Sequence, residues 1–321
     1  MKNSILQLFP LEYRTLWQQA AERQKDIQEI RLRAGRPVIL HMSGREVFLT
    51  GEGGLAENCR SAYCMDGGTL DRIFQHICNY SPYAFEEELK QGFLTVEGGH
   101  RVGVAGQAVL EPDGSVRTLK NITFLNIRVA HQIKGAADGI LPRLYRGGRL
   151  KNTLIISPPG CGKTTLLRDL IRQISDGNAF GRGMTVGVVD ERSELGGSFM
   201  GRPQNDMGMR TDVLDGCPKA VGMLMLLRSM APEVIAIDEL GSMEELDALR
   251  RAANCGCRIL ATVHGESLEE VRCRFSGSFG DNLFGVDRGL GDGFFGLYLV
   301  LCRESGKCVV KQVMEGGEAF A

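Results

Sequence analysis

The sequence has no apolar run long enough to cross a bilayer. Val221 to Leu227 and Leu297 to Cys302 are its longest, far short of the roughly 18 residues a span requires, and both suit buried elements of a folded core. Charge of neither sign is in excess: 38 basic side chains stand against 39 acidic ones, so nothing at the whole-chain level advertises nucleic acid or an anionic membrane as partner. Aromatic residues are scarce at 7%, with one Trp, and no stripe of interleaved aromatic and basic residues offers bases a stacking platform. Paired metal-type cysteines are missing too. Cys59 with Cys64 and Cys255 with Cys257 have no second pair or His-x-His nearby, so the ten Cys read as free thiols of a reducing cytoplasm. No basic-then-apolar leader opens the chain and no repeat or low-complexity tract interrupts it, so a cytoplasmic globular protein without a transmembrane segment is expected. What is abundant is glycine: 42 residues, scattered in pairs at loops of a 321-residue chain that suits about two domains.

Asn152 to Thr165 reads NTLIISPPGCGKTT. Leu154, Ile155 and Ile156 make a short buried strand, Gly160 and Gly162 let the backbone turn its N–H groups inward, and Leu166 to Ile174 continues at helical spacing. This is a phosphate cradle between a strand and a helix. Its members are Ser157, Pro158, Pro159, Gly160, Cys161, Gly162, Lys163, Thr164 and Thr165, with Lys163 placed to reach the β/γ-phosphates of ATP and Thr164 to hold Mg²⁺. The strict pattern wants Gly where Ser157 stands, and Ser is small enough to serve. An accidental Gly-rich turn is the alternative; the strand before, the helix after and the Gly162-Lys163-Thr164 triplet weigh against it. Cys161, inside the loop, should be a reactive thiol that bound nucleotide covers.

Before this loop, Leu8 to Arg23 has the spacing of an amphipathic opening helix that buries Trp17. Ile27 to Arg33, Pro37 to Met42 and Val47 to Leu49 alternate like strands, Thr69 to Asn79 and Pro82 to Gln91 read as helices, and Phe93 to Ile133 reads as several short strands. An α+β domain over residues 1–138 is expected, then a Gly- and Pro-containing linker at 139–150. After the loop, strand and helix signals alternate at Thr185 to Asp190, Pro218 to Met230, Val234 to Asp238, Met243 to Ala253, Arg258 to His264 and Ser267 to Phe275. That rhythm predicts a parallel α/β sheet over 151–321, closed by an antiparallel hairpin around Glu304-Ser305-Gly306-Lys307.

Chemistry collects at the ends of three of these strands, the edge where α/β sheets hold their ligands. Val234 to Ile237 delivers Asp238 and Glu239, a Walker B pattern in which Asp238 would hold Mg²⁺ and Glu239 would orient or deprotonate the attacking water. Val188-Val189 delivers Asp190 and Glu191, a second acid-tipped strand, and which of Glu191 and Glu239 is the main base stays open. Leu260 to Val263 delivers His264, able to sense or polarise the γ-phosphate; a lone His is otherwise a satisfied structural residue. Arg101 and Arg128 sit on strand-like stretches of the first domain, where a solvated strand residue is as good a reading as a functional one.

In this order the residues resemble the secretion and traffic ATPases of type II and type IV systems, which carry a Walker A, an Asp box, a Walker B preceded by Leu-Arg and Pro-Asp, and a His box. The matching residues are Gly162-Lys163-Thr164, Asp190-Glu191, Leu227-Arg228 with Pro232-Glu233, Asp238-Glu239, and Thr262-Val263-His264. Ser157 in place of the first loop Gly, and Asp238 where those ATPases often carry Gly, are departures that bring the site closer to a general RecA-like ATPase. More narrowly, EIRLRAGRP from Glu29, the run from Asn205 to Met223, and SMAPEVIAIDELG resemble the stage III sporulation AA family over nearly the whole chain. The resemblance implies a RecA-like P-loop ATPase core, a hexameric ring in which Arg101 and Arg128 act on a neighbour's ATP, and a role for Arg228. It also implies a partner: a membrane channel complex between mother cell and forespore, with the ATPase peripheral on the mother-cell side.

The reading that follows is an ATPase motor of a secretion-like apparatus using ATP and Mg²⁺. A nucleotide-gated scaffold with negligible turnover is a second reading, and a RecA-like nucleic-acid motor a third, the latter disfavoured by balanced charge.

Overall fold

The computed structural model describes residues 4–275, 294–304 and 307–316. The chain divides into two compact units, one made of Met1–His131 with Gly197–Met200, the other of Gln132–Gly196 with Gly201–Ala321.

The first unit is built on an antiparallel sheet of β1 (Ile27–Arg33), β2 (Ile39–Met42), β3 (Arg45–Leu49), β4 (Leu55–Ala56), β5 (Phe93–Thr95), β6 (Arg101–Leu110) and β7 (Val116–Arg128), in the order β4-β3-β2-β1-β7-β6-β5. Period-two alternation buries Ile30 and Leu32 of β1, Leu125 and Ile127 of β7, and Val102 and Val104 of β6 on one face. Two helices contribute to the same buried core. In α1 (Arg14–Glu22), Trp17 is buried and stacks on Phe9 with ring centroids 4.0 Å apart. In α2 (Gly67–Ile77), Leu70, Ile73, Phe74 and Ile77 recur at helical spacing, and Asp66 caps the start by accepting the Thr69 N–H at 2.9 Å. The opening helix is shorter than its spacing predicts, because Pro10 starts a 3₁₀ turn at Leu11–Tyr13 and leaves Leu11 exposed. Where short strands are expected, β6 and β7 form one long hairpin. Gly106 makes its bulge possible, since a Cβ there would lie 2.6 Å from the Asn121 carbonyl oxygen.

The second unit holds β8 (Thr153–Ser157), β9 (Val186–Asp190), β10 (Thr211–Asp215), β11 (Val234–Ile237), β12 (Arg258–His264), β13 (Leu297–Glu304) and β14 (Lys307–Glu315). Their order is β10-β9-β11-β12-β8-β13-β14, all parallel except β14, which pairs antiparallel with β13 at the edge. The expected edge hairpin is therefore present; its turn at Ser305-Gly306 lies outside the described residues. The strands β8, β9 and β11 are buried at every position, as a parallel sheet covered on both faces requires. Each wholly buried aliphatic side chain there contributes ~1.5–3 kcal/mol. The strand β10 is not predicted: Thr211–Asp215 is acidic and only half-buried, so no hydrophobic pattern announces it.

Helices α3 (Lys163–Asp176), α4 (Lys219–Ser229), α5 (Met243–Asn254) and α6 (Leu268–Arg274) return the chain between strands. In α3, Leu166, Leu167, Leu170, Ile171 and Ile174 are buried, which fixes its N-terminus beside the end of β8. Register does the rest. Ser157 pairs with His264, Ile237 with Ala261 and Val189 with Ile237, so Ser157, His264, Thr262, Asp238 and Asp190 converge on one edge of the sheet.

Candidate nucleotide site

The loop after β8 closes on Gly160 and Gly162, with φ of +72° and +77°, left-handed values that a side chain would strain. Gly162 is the N-cap of α3, so the unsatisfied N–H groups and positive end of that helix face the loop. Ser157 is wholly buried and its hydroxyl donates to the Pro158 carbonyl at 2.7 Å, a local bond that accommodates a side chain where the strict pattern has none. Pro159 and Gly160 are exposed, and Pro158 and Thr165 half-buried. One expectation is corrected: the Cys161 side chain is 4% exposed, packed with Leu166, Leu170 and Ile171 in the core, so Cys161 offers the loop its backbone and not an accessible thiol.

Lys163, the first residue of α3, is buried and its Nζ donates to Glu239 Oε1 at 2.6 Å and lies 3.1 Å from His264 Nε2. His264 Nε2 is itself 3.0 Å from Glu239 Oε1, while its Nδ1 is buried without a partner. Burial alone would raise the Glu239 carboxyl. The hydrogen bond and charge of Lys163, then those of His264, outweigh it and hold the group below the ordinary carboxylate range. Arg192 reaches the other carboxylate oxygen at 3.1 Å.

Beside this cluster the Thr164 hydroxyl donates to Asp238 Oδ2 at 2.6 Å, and the Thr262 hydroxyl donates to Asp238 Oδ1. Asp238 and Thr164 thus present a carboxylate and a hydroxyl oxygen to one point, the hard-oxygen pair that suits Mg²⁺. Glu239 sits at φ +56°, an uncommon conformation for a side-chain-bearing residue. It is held there from both sides. Its N–H donates to Thr262 Oγ1 at 2.8 Å and Asp238 Oδ1 at 3.1 Å, and its carbonyl accepts from Lys219 Nζ at 2.5 Å.

The second acid-tipped strand is used differently. Asp190 is buried, and its two carboxylate oxygens accept the N–H groups of Glu194 at 2.9 Å and Gly196 at 2.7 Å, turning the chain that leaves β9. Burial raises its pKa, the backbone N–H groups only partly offsetting that. Arg168 of α3 clamps the same loop by donating to the Glu194 and Leu195 carbonyls, each at 2.7 Å. Burial lowers its pKa, though a guanidinium stays charged. Glu191 is 40% exposed and pairs with Lys219 at 3.6 Å.

The predicted residues Lys163, Thr164, Asp238, Glu239 and His264 are therefore brought together, with Glu191 at the margin. Arg228 is not. It is exposed at the far end of α4, nine residues and about 13 Å along the helix from Lys219 at ~1.5 Å per residue. The Glu233 of the same motif lies at the opposite edge of the sheet, accepting from Thr185 N at 3.1 Å and Arg182 Nη1 at 3.1 Å. Arg101 and Arg128 belong to the first unit, where they are direct cross-strand partners in the β6–β7 register. Arg128 is exposed, and the Arg101 guanidinium lies 4.4 Å from the Phe93 ring centroid. Three participants are given no role by the sequence: Lys219, Arg192 and Thr262, the last named only as part of the His-box match. Only Thr262 carries a signal, two residues before His264 and so on the same face of β12.

A mostly parallel sheet in which an inner strand runs through a glycine loop into a helix, with an acid-tipped strand two places away, defines a RecA-like P-loop α/β fold. The pilus retraction motor PilT solved with bound ADP superposes at a TM-score of 0.63 with 16% identity, covering 94% of this chain and 83% of that one. The Legionella pneumophila ATPase DotB gives 0.56 and 17%, covering 94% and 79%. The chain belongs to the sporulation stage III, protein AA family, whose model matches residues 1–315. It is 41% identical over 314 residues to stage III sporulation protein AA of Bacillus subtilis strain 168, covering 98% of this chain and 95% of that protein. Protein SEEDLING PLASTID DEVELOPMENT 1 of Arabidopsis thaliana is 30% identical over 157 residues, covering 46% and 21%. Among the described residues no helix is long and apolar enough to cross a membrane.

Proposed function

We propose that the chain is an ATP-hydrolysing motor of secretion type that acts in endospore formation on a membrane channel complex between mother cell and forespore. The observation that carries this is the meeting of Lys163 and Thr164 with Glu239 and Asp238 at the N-terminus of α3. The loop amides from Gly160 to Thr165 and the helix end attract the phosphates, and Lys163 exchanges Glu239 for the β/γ-phosphates. Glu239, released and ionised at neutral pH as an ordinary carboxylate is, takes or orients the water, and His264 adjoins the γ-phosphate. Thr164 and Asp238 would hold Mg²⁺, which when bound neutralises phosphate charge. Glu191 has the lesser share.

In a homo-hexameric ring Arg101 and Arg128 of one subunit act on the neighbour's ATP. Their pairing across β6 and β7 supports a joint role. The protein works in the cytoplasm, peripherally at the mother-cell face of its membrane partners.

One observation favours the scaffold reading. The carboxylate of Glu239 is engaged at once by Lys163, His264 and Arg192, an arrangement suited to binding without turnover. ATP turnover against protein concentration, with mass followed by light scattering, separates the two. A motor turns over faster as rings form; ring formation with nucleotide bound and no phosphate released overturns the motor reading.

A further inference from the structure

Lys219 begins α4, far in sequence from every residue of the phosphate loop, yet its side chain is 90% buried beside the turn that follows β11. A buried lysine is costly unless its charge is matched. Here the matching is specific: Nζ donates to the Glu239 carbonyl at 2.5 Å and lies 3.2 Å from Glu245 Oε1 and 3.6 Å from Glu191 Oε2. Glu245 in turn closes the same turn from its other end. Its Oε2 accepts the Gly241 N–H at 2.7 Å and the Ser242 N–H at 3.3 Å, as the acidic member of the capping box that starts α5.

The turn at 238–242 is thus pinned at four points. Thr262 and Asp238 hold the Glu239 N–H, Lys219 holds its carbonyl, the Thr262 carbonyl accepts from the Leu240 N–H at 2.7 Å, and Glu245 holds Gly241. The carbonyl bond and the Leu240 N–H bond grip the same Glu239–Leu240 peptide from its two sides and together oppose relaxation at Glu239. A residue at φ +56° persists only where its surroundings over-determine it. If the Glu239 carbonyl loses its cation, that peptide keeps only the Leu240 N–H bond against rotation toward the ordinary right-handed region, and the carboxylate shifts with it.

We propose that Lys219 is a positioning residue of the hydrolytic centre: it holds the left-handed Glu239 in the pose from which its carboxylate acts on the attacking water. Through Glu191 it also ties the acid-tipped end of β9 to that of β11. This rests on the reading of Glu239 as the base. A misplacement of about 1 Å at such a group costs on the order of 10²-fold in rate.

The test uses the full chain in its ring-forming state. Lys219→Met should lower kcat about 100-fold while KM and the affinity for a fluorescent ATP analogue stay within about threefold. Amide exchange of 238–242 should accelerate while that of β11 does not, and Lys219→Arg should restore kcat to within about tenfold. Should Lys219→Met fail to fold, Glu245→Gln keeps the capping box, which accepts Gln, and loosens only the charge on Lys219. A several-fold loss of kcat at constant KM is then expected. A folded Lys219→Met chain with wild-type kcat, or one that loses nucleotide affinity as much as rate, overturns the assignment while leaving the ATPase reading intact. Wild-type protein that binds ATP and never turns it over overturns the ATPase reading and the positioning role of Lys219 with it.

Discussion

The strand β9 ends Val188-Val189-Asp190-Glu191 and β11 ends Ala236-Ile237-Asp238-Glu239, two neighbours in register that share a pattern and differ in use. At the end of β9 the first carboxylate is buried and consumed by backbone N–H groups, and the second faces solvent beside Lys219. At the end of β11 the first carboxylate meets the Thr164 hydroxyl, and the second meets Lys163 and His264. What separates them is position in the sheet. Only one strand, β12, stands between β11 and the phosphate loop, whereas β9 lies a strand further out and spends its acid on holding a loop. An acid-tipped strand is thus a statement about the edge of a sheet, and its chemistry depends on what the next strands carry.

The sharpest way to break the comparison is to neutralise the two glutamates separately. Glu239→Gln should bind ATP and lose about 10²–10⁴ in turnover, the usual worth of a general base, while Glu191→Gln should lose less than about tenfold. If phosphate release shows the reverse, the roles of the two strands are exchanged. Lys163→Ala comes next. It removes charge-assisted bonds worth about 1.5–3 kcal/mol each, so affinity for a fluorescent ATP analogue should fall by about 10²-fold or more with the fold intact by circular dichroism. Unchanged affinity in a folded variant would remove the loop from the site.

Asp190→Asn sharpens the structural side. An amide NH₂ would face a backbone N–H where a carboxylate oxygen now accepts, leaving a buried donor unpaired at ~1–3 kcal/mol. Denaturant unfolding should register that loss with little change in nucleotide affinity; a collapse of affinity at full stability would make Asp190 a ligand group and erase the contrast.

Much of this was legible because parallel strands and their loops are written locally. Uniformly apolar runs such as Val234 to Ile237, and Gly162-Lys163-Thr164 ahead of an amphipathic helix, need no tertiary information. The misses share a physical cause. The exclusion of Arg228 follows from the direction α4 runs, and the use of Asp190 from two N–H groups in a loop with no pattern. The entry of Lys219 depends on charge compensation by Glu191 and Glu245, residues distant from it in sequence and visible only once packed. Cys161 illustrates the same limit within a recognised motif, since spacing places a residue in a loop but does not say which way its side chain turns.

The smallest effect probes the two environments through protons. The Glu239 carboxyl is held below its ordinary pKa, so its stabilising share is complete above the unfolded value of about 4.5 and is lost as pH falls through the folded one. Burial instead raises Asp190, so keeping it ionised costs stability at neutral pH, and that cost fades as pH falls through the raised value toward 3.8. Stability differences against non-titrating variants isolate each group. Wild type minus Glu239→Gln should shrink as pH drops below about 4.5, and wild type minus Asp190→Asn should grow as pH falls through the raised value toward 3.8, each with a slope bounded by ~1.4 kcal/mol per pH unit for one proton. Urea midpoints at a series of pH values measure both. Slopes of the same sign would mean that the two carboxylates share one electrostatic environment, and that burial at the end of β9 is not what distinguishes it from the end of β11.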